Sequence, residues 1–317
     1  MNRVRQNTFG HDIQEMREII ADGGMRNYLR KGLGYVLDIL RYGDTYDRED
    51  ALIELAGRIE GIIDPDERPN RVLELAAAHD QERYEQLAHA FLAGEGVMAR
   101  IPKSLQGRAD LMYRQIRPYL SGRSVLDLGC GDGKVGQLVS REGYEVTLAD
   151  VYRNPNIDAL KLPFVPFAQG EKAPLESDRF DTTLLLTVIH HSSTPLLTVR
   201  DARRMTRPGG RVIVIESVYG IHEPGAYGGG EIESLFTGLT PEQQRLWGMY
   251  FDHFYNRVFH YSEDPATKVN VPFNFRSPEE WEGIFEEEGL DEVCFQSLGI
   301  DLPIVPEYHT LHILEKV

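Results

Sequence analysis

Residues 124–140 have the sequence SVLDLGCGDGKVGQLVS, which is the most informative stretch of the chain. A short apolar run is followed by glycines at Gly129, Gly131 and Gly133, and then by residues with helical spacing. Glycines let the backbone turn sharply and let a ligand lie directly against the main chain. The stretch therefore predicts a strand, a ligand-binding turn and a helix. A dinucleotide fingerprint is not predicted, because its third glycine would fall at Lys134.

The alternation of strands and helices continues downstream. Further strands are predicted at residues 145–150, 164–169, 181–190, 211–217, 292–300 and 310–317. Helices are predicted at about 195–206 and after Ser277, where a capping box with Glu280 begins. This pattern indicates a Rossmann-like, doubly wound α/β fold with a seven-stranded, mostly parallel sheet and an antiparallel edge strand.

The N-terminal part of the chain is predicted to be entirely helical. Three sets of apolar residues have helical spacing: Leu29, Leu33, Val36, Leu37 and Leu40; Leu52, Leu55, Ala56, Ile59 and Ile62; and Tyr84, Leu87, Ala88 and Phe91. We divide the chain into a helical region, residues 1–104, and a main domain, residues 105–317, with an aromatic-rich insertion at about 218–275. The helical region would serve as a cap or as a homodimer interface.

The composition excludes several classes of protein. With 317 residues, 41% of them hydrophobic, the chain is neither disordered nor a disulfide scaffold, and it has only two cysteines. It lacks the roughly 20-residue apolar run of a membrane span and the apolar stretch of a signal peptide, so we expect a cytoplasmic location. A net charge of −16 disfavours nucleic acid as a partner.

Three further features accompany the glycine turn. Asp150 ends the second strand, RFDTTLLLTVIHH spans residues 179–191, and RRMTRPGGRVIVIES spans residues 203–217. Together with VLDLGCGDG, they resemble the class I S-adenosylmethionine-dependent methyltransferases of the ubiquinone- and menaquinone-biosynthesis type. The resemblance implies S-adenosylmethionine as cofactor. It also implies O-, N- or C-methylation of a small molecule by in-line attack on the sulfonium methyl group.

The same resemblance implies roles for individual residues. Asp127 and the turn at Gly129 and Gly131 would hold the methionine end of the cofactor, and Asp150 would hold its ribose. An acid that follows the third strand in the family corresponds here to Glu171. The complete set of expected cofactor-binding residues is Asp127, Gly129, Cys130, Gly131, Asp150, Val151, Glu171, Thr187 and His190.

Catalytic candidates lie near the carboxyl ends of the fourth and fifth strands, where open α/β sheets bind ligands. A general base would help if the acceptor is a hydroxyl or an acidic carbon, and the candidates are His191, Glu216, Tyr219 and His222. No metal site is predicted, because the ten histidines show neither HxxxH spacing nor a nearby CxxC pair.

The aromatic segment at residues 245–261, RLWGMYFDHFYNRVFHY, has two interpretations. Its rings could pack a helix onto the sheet domain, or they could form a lid over a flat, apolar or cationic acceptor. Two other functions also stay open. An aminopropyltransferase would be expected to carry acidic residues where this chain has Thr187 and His190, and a related protein could bind S-adenosylmethionine without transferring methyl.

Overall fold

A computed structural model describes residues 19–42, 67–227, 230–264, 267–300 and 305–317. The apolar set predicted at residues 52–62 lies outside these described residues. Within them, no helix has the length and apolar character that a membrane crossing requires. The other two apolar sets of the N-terminal region lie in helices and face the core, as predicted.

Seven strands form one sheet: β1 (Ser124–Leu128), β2 (Glu145–Asp150), β3 (Phe164–Pro166), β4 (Phe180–Leu186), β5 (Thr206–Ser217), β6 (Leu290–Ile300) and β7 (Tyr308–Lys316). Their order is β3-β2-β1-β4-β5-β7-β6. Neighbouring strands from β3 to β5 are parallel, whereas β7 runs antiparallel to both β5 and β6. The predicted sheet is confirmed, and its antiparallel pairings lie at one edge, with β6 outermost.

The helices of the described residues are α1 (Gly23–Tyr42), α2 (Glu67–Ala78), α3 (Gln81–Gly94), α4 (Ile101–Ile116), α5 (Lys134–Arg141), α6 (Ile157–Leu160), α7 (Pro195–Met205), α8 (Glu231–Thr237), α9 (Pro241–His253) and α10 (Pro278–Glu287). A π-helix at Phe254–Phe259 continues α9. The predicted capping box of Ser277 and Glu280 starts α10. The boundary predicted between residues 104 and 105 falls within α4, and the division into two units stays a prediction.

Helices cover both faces of the sheet. Successive side chains of a strand point to opposite faces, so one strand contributes to the core on each side. In β5, Ile213 and Ile215 join the cluster that contains residues of α4 and α5. Val212 and Val214 join the cluster that contains residues of α7 and α10. Because β1 to β5 run parallel, their carboxyl ends all lie along one edge of the sheet, between the two helical layers.

The N-terminal helices and the aromatic insertion pack against each other. Trp247 and Phe251 of α9 lie against Gly32 of α1 so closely that a Cβ at position 32 would be 2.5 Å from Cη2 of Trp247. Glu85 of α3 is paired with Arg257 of the π-helix, with 3.2 Å between Oε2 and the guanidinium. The rings of the insertion thus pack on the N-terminal helices as well as on one another.

We expect Gly32→Ala to lower the free energy of unfolding by about 1–3 kcal/mol, because the added methyl group overlaps two rigid rings. Gly34→Ala is the matched control on the same helix, since its Cβ would make only an ordinary contact, 3.8 Å from Pro69 Cγ. Removing a glycine from a helix interior should leave stability unchanged or raise it by about 0.5–1 kcal/mol. Urea unfolding followed by circular dichroism measures both, and equal stabilities would contradict the α1–α9 contact.

Candidate functional site

A cavity of about 650 Å³ lies at the carboxyl ends of β1, β2 and β4. Its volume is within the range of about 300–1,000 Å³ that is usual for ligand sites. Eight of the nine expected cofactor-binding residues line it; the exception is His190. The structure therefore brings these eight residues together around one cavity at this edge of the sheet.

The turn after β1 needs glycine for two different reasons. Gly129 has φ +80°, and a Cβ there would lie 2.5 Å from both methyl groups of Val188. Gly131 has φ +53°, and a Cβ there would meet no atom of the described residues within 4 Å. The first glycine allows close packing, whereas the Cβ direction of the second points into open space.

Asp150 at the end of β2 is held by main-chain hydrogen bonds. Its Oδ2 accepts the N–H of Gly131 at 2.8 Å, and its Oδ1 accepts the N–H of Tyr152 at 3.0 Å. Burial raises the pKa of Asp150 despite these bonds. The side chain is therefore oriented before any ligand binds, and its remaining lone pairs can accept two hydroxyl groups.

Asp127 of β1 carries an unsatisfied carboxylate on the cavity wall. The side chain is buried, and its Oδ2 has no hydrogen-bond partner among the described residues. Burial, together with the nearby carboxylate of Asp150, raises the pKa of Asp127 to about 7. A buried carboxylate oxygen without a partner is unfavourable unless a donor or a cation binds it. Oδ2 faces Gly136 of α5 and has no exposed surface, so the ionised carboxylate of Asp127 costs stability in the folded protein.

Cys130 lies between these two acids and also lines the cavity. Burial and the carboxylates of Asp127 and Asp150 raise the pKa of the thiol far above its usual value. It therefore stays protonated at neutral pH and is not a thiolate nucleophile.

The segment after β4 is fixed by the buried carboxylate of Glu216. Its Oε1 accepts the N–H groups of Val188 and Ile189 at 3.0 and 2.6 Å, and its Oε2 lies 2.5 Å from Nδ1 of His190. Burial would raise the pKa of Glu216, but His190 and the two N–H groups hold it below its usual value. Burial would lower the pKa of His190, but Glu216 raises it to about 9. Glu216 and His190 thus form an internal ion pair, away from the cavity wall.

The other catalytic candidates are widely separated. Tyr219 donates its hydroxyl to Glu280 at 2.8 Å, and His222 is exposed, with Nδ1 3.1 Å from a main-chain carbonyl. Neither is among the residues that line the cavity. His191 does line it, but its Nδ1 donates to the carbonyl of Asn270 at 2.9 Å. Its Nε2 lies 3.5 Å from Oδ1 of Asp252, so both ring nitrogens face protein groups.

Several lining residues were not predicted from the sequence. Arg108 of α4 donates to the hydroxyl of Thr187 at 3.3 Å, and Thr187 has a positive φ of 58°, which is uncommon for a residue other than glycine. The π-helix and the segment after it contribute Tyr255, Asn256, His260 and residues 267–270. Within the described residues, Tyr255 is the one ring of the aromatic segment's Trp, Tyr and Phe side chains that reaches the cavity.

The strand order, the glycine turn and the acid at the end of β2 together define the class I methyltransferase fold. A family model described as "Methyltransferase domain" matches residues 54–294, which is well over half of the chain. The chain belongs to this family.

Relatives of known description match a shorter part of this chain than the family model does. A ubiquinone biosynthesis O-methyltransferase of Aliivibrio fischeri is 29% identical over 101 residues, 29% of this chain and 43% of that protein. The protein of the same description from Alkalilimnicola ehrlichii is 33% identical over 102 residues, 30% of this chain and 41% of that protein. The match therefore spans less than half the length of these curated relatives.

Solved structures of methyltransferases show distant similarity. A Burkholderia thailandensis 1,6-didemethyltoxoflavin-N1-methyltransferase, solved with 1,6-didemethyltoxoflavin and S-adenosylhomocysteine, has a TM-score of 0.46 and 15% identity. The match covers 75% of this chain and 91% of that one. An Aquifex aeolicus SAM dependent methyltransferase has a TM-score of 0.39 and 19% identity, with 62% and 84% covered. At these values the likeness says nothing about substrate.

We expect Asp127→Asn to raise the free energy of unfolding by about 1–3 kcal/mol at pH 8. The folded-state pKa of Asp127 is raised from 3.8 to about 7, so the folded protein binds the extra proton between these values. The loss of stability that the ionised Asp127 causes in the folded protein therefore grows as pH rises from about 4 to 7 and stays constant above pH 7. The gain from the substitution should shrink on going from pH 8 to pH 5.

Asp181→Asn is the matched control for this experiment, because Asp181 is also buried but accepts the N–H groups of Arg123 and Ser124 at 2.7 Å each. It should destabilise the protein by about 1–3 kcal/mol. Urea unfolding at pH 5 and pH 8 measures the free energy of unfolding of both variants and so distinguishes them. A loss of stability in Asp127→Asn at pH 8 would contradict the unsatisfied state of Asp127.

Proposed function

We propose that this protein transfers a methyl group from S-adenosylmethionine to a small-molecule acceptor. The observation that carries the proposal is the acid at the end of β2, Asp150, which main-chain hydrogen bonds hold beside the glycine turn at Gly131. S-adenosylmethionine has a cationic amino group, a ribose with two hydroxyls and a sulfonium whose methyl is open to nucleophilic attack. The residues present fit the first two of these groups.

The proposed contacts follow from the chemistry of the lining residues. Asp127 would accept hydrogen bonds from the amino group, which restores the ionised form of its carboxyl. Asp150 would accept bonds from the ribose hydroxyls. Arg108, next to Thr187, would bind the carboxylate of the methionine end. Val151 and Glu171 would lie along the nucleoside.

Catalysis would come from alignment of the acceptor with the sulfonium methyl group rather than from a base in the predicted set. Glu216 is held in an ion pair, Tyr219 and His222 lie outside the cavity, and both nitrogens of His191 face protein groups. The chain's contribution is therefore to bind both reactants in one cavity of limited volume.

The composition of the wall bears on the acceptor. Two basic side chains, Arg108 and Lys268, line the cavity together with the amides of Asn256 and Asn270 and with five acids, namely Asp127, Asp132, Asp150, Glu171 and Asp201. Tyr255 alone does not make an aromatic cage for a cation. A small molecule with polar groups is the acceptor class that we propose.

We expect Asp150→Ala to weaken the binding of S-adenosylhomocysteine and S-adenosylmethionine by about 10- to 100-fold, through lost hydrogen bonds to the ribose. Asp158→Ala is the control, because Asp158 is an exposed acid close in sequence that pairs with Arg153. Isothermal titration calorimetry measures both. Equal affinities for the two variants would contradict the role of Asp150, and no binding to the wild-type chain would overturn the proposed cofactor.

The second candidate function is cofactor binding without methyl transfer. A turnover assay distinguishes it from methyl transfer. The wild-type chain and Asp150→Ala are incubated with methyl-labelled S-adenosylmethionine and a panel of neutral, anionic and cationic small acceptors. Label should enter at least one of these acceptors with the wild-type chain and much less with the variant. Cofactor binding without label transfer to any acceptor would favour a protein that binds the cofactor without turnover.

A further inference from the structure

Two adjacent histidines and one aspartate form a buried cluster next to the cavity. His190 and His191 follow β4, and their ring centroids are 4.1 Å apart. Asp252, near the end of α9, reaches them from the insertion. One nitrogen of each ring and one carboxylate oxygen of Asp252 all lie within 4.8 Å of one another.

The hydrogen bonds of the two histidines determine which nitrogens remain for other partners. Nδ1 of His191 contacts a main-chain carbonyl, which can only accept, so this nitrogen carries a proton. Nδ1 of His190 is bonded to the carboxylate of Glu216, which also accepts two main-chain N–H groups. Histidines that bind metals usually donate their other N–H to a carbonyl or a carboxylate in this way.

The contact between His191 and Asp252 is too long for a hydrogen bond. Nε2 and Oδ1 are 3.5 Å apart, whereas direct hydrogen bonds of this type measure about 2.7–3.2 Å. If His191 is neutral, a lone pair faces a carboxylate there. Two donors bound to one tetrahedral zinc ion at about 2.0–2.1 Å would be about 3.3 Å apart, close to the observed distance.

Negative charge is in excess around the cluster. Oδ2 of Asp252 is buried and has no hydrogen-bond partner among the described residues. Glu216 and Asp252 both act electrostatically on His190, and both are buried. A proton on His190 neutralises one negative charge, that of Glu216. A divalent ion carries two positive charges and would neutralise the charge of Asp252 as well.

We propose that His190, His191 and Asp252 bind a first-row divalent transition-metal ion. The donor set of two imidazoles and one carboxylate suits zinc and its neighbours better than magnesium or calcium, which prefer all-oxygen sites. Glu216 and the carbonyl of Asn270 would orient the two rings from behind. The ion would join the segment after β4 to α9, next to the cavity wall that His191 forms.

The test uses the full chain, stripped with a chelator and checked by circular dichroism, and titrated with zinc by calorimetry and with cobalt by visible absorption. One equivalent of zinc should bind with a dissociation constant of about 10 μM or tighter, and cobalt should give the bands of a site with nitrogen ligands. Asp252→Asn should weaken zinc binding about 100-fold, and Glu216→Gln about 10- to 100-fold. His222→Gln, which removes an exposed histidine outside the cluster, should bind zinc like the wild-type chain.

A wild-type chain that binds zinc only more weakly than about 100 μM, or at far less than one equivalent, overturns the proposal without reference to any variant. Equal zinc affinity for Asp252→Asn and the wild-type chain also overturns it. The proposal does not rest on methyl transfer. S-adenosylhomocysteine is titrated into the same stripped samples, so that a missing metal site and a missing cofactor site give separate results.

Discussion

The buried carboxylate of Glu216 is the interaction on which the candidate site depends. It accepts the main-chain N–H groups of Val188 and Ile189 and the ring of His190, and so determines the path of the chain after β4. Val188, held in this way, packs against Gly129 of the turn after β1. One side chain of β5 therefore sets the distance between the glycine turn and the segment that faces it. Replacing a buried, multiply bonded carboxylate would leave several donors unsatisfied.

The cavity combines a rigid part and a part built by the insertion. The rigid part lies at the ends of parallel strands, where Asp127 and Asp150 are oriented by main-chain geometry. The other part comes from the π-helix and residues 267–270, which rest on the N-terminal helices through contacts such as Glu85 with Arg257. The N-terminal helices therefore influence the site without lining most of it.

Local sequence patterns were sufficient for the sheet and for the part of the cavity at the ends of β1 and β2. The glycine turn, the acid at the end of β2 and the alternating apolar runs each depend on neighbours within a few residues, so their positions could be predicted. The roles of His190 and Glu216 could not. The family resemblance implied a cofactor contact for His190, and Glu216 was a candidate base because it lies at the end of β5, but the two residues are 26 positions apart and pair with each other inside the protein. A sequence pattern shows that a residue ends a strand, but it does not show which residue its side chain pairs with.

Periodicity alone was enough for the layered α/β architecture and the glycine turn, because both depend on neighbouring residues, and the resemblance to a family added the class I methyltransferase fold. Long-range packing was needed to show that Glu216 pairs with His190, that Arg108 and Lys268 line the cavity, and that Asp252 meets His190 and His191. These features join residues tens of positions apart. Their contacts depend on how the insertion, α4 and the sheet pack together, and no short-range pattern records that packing.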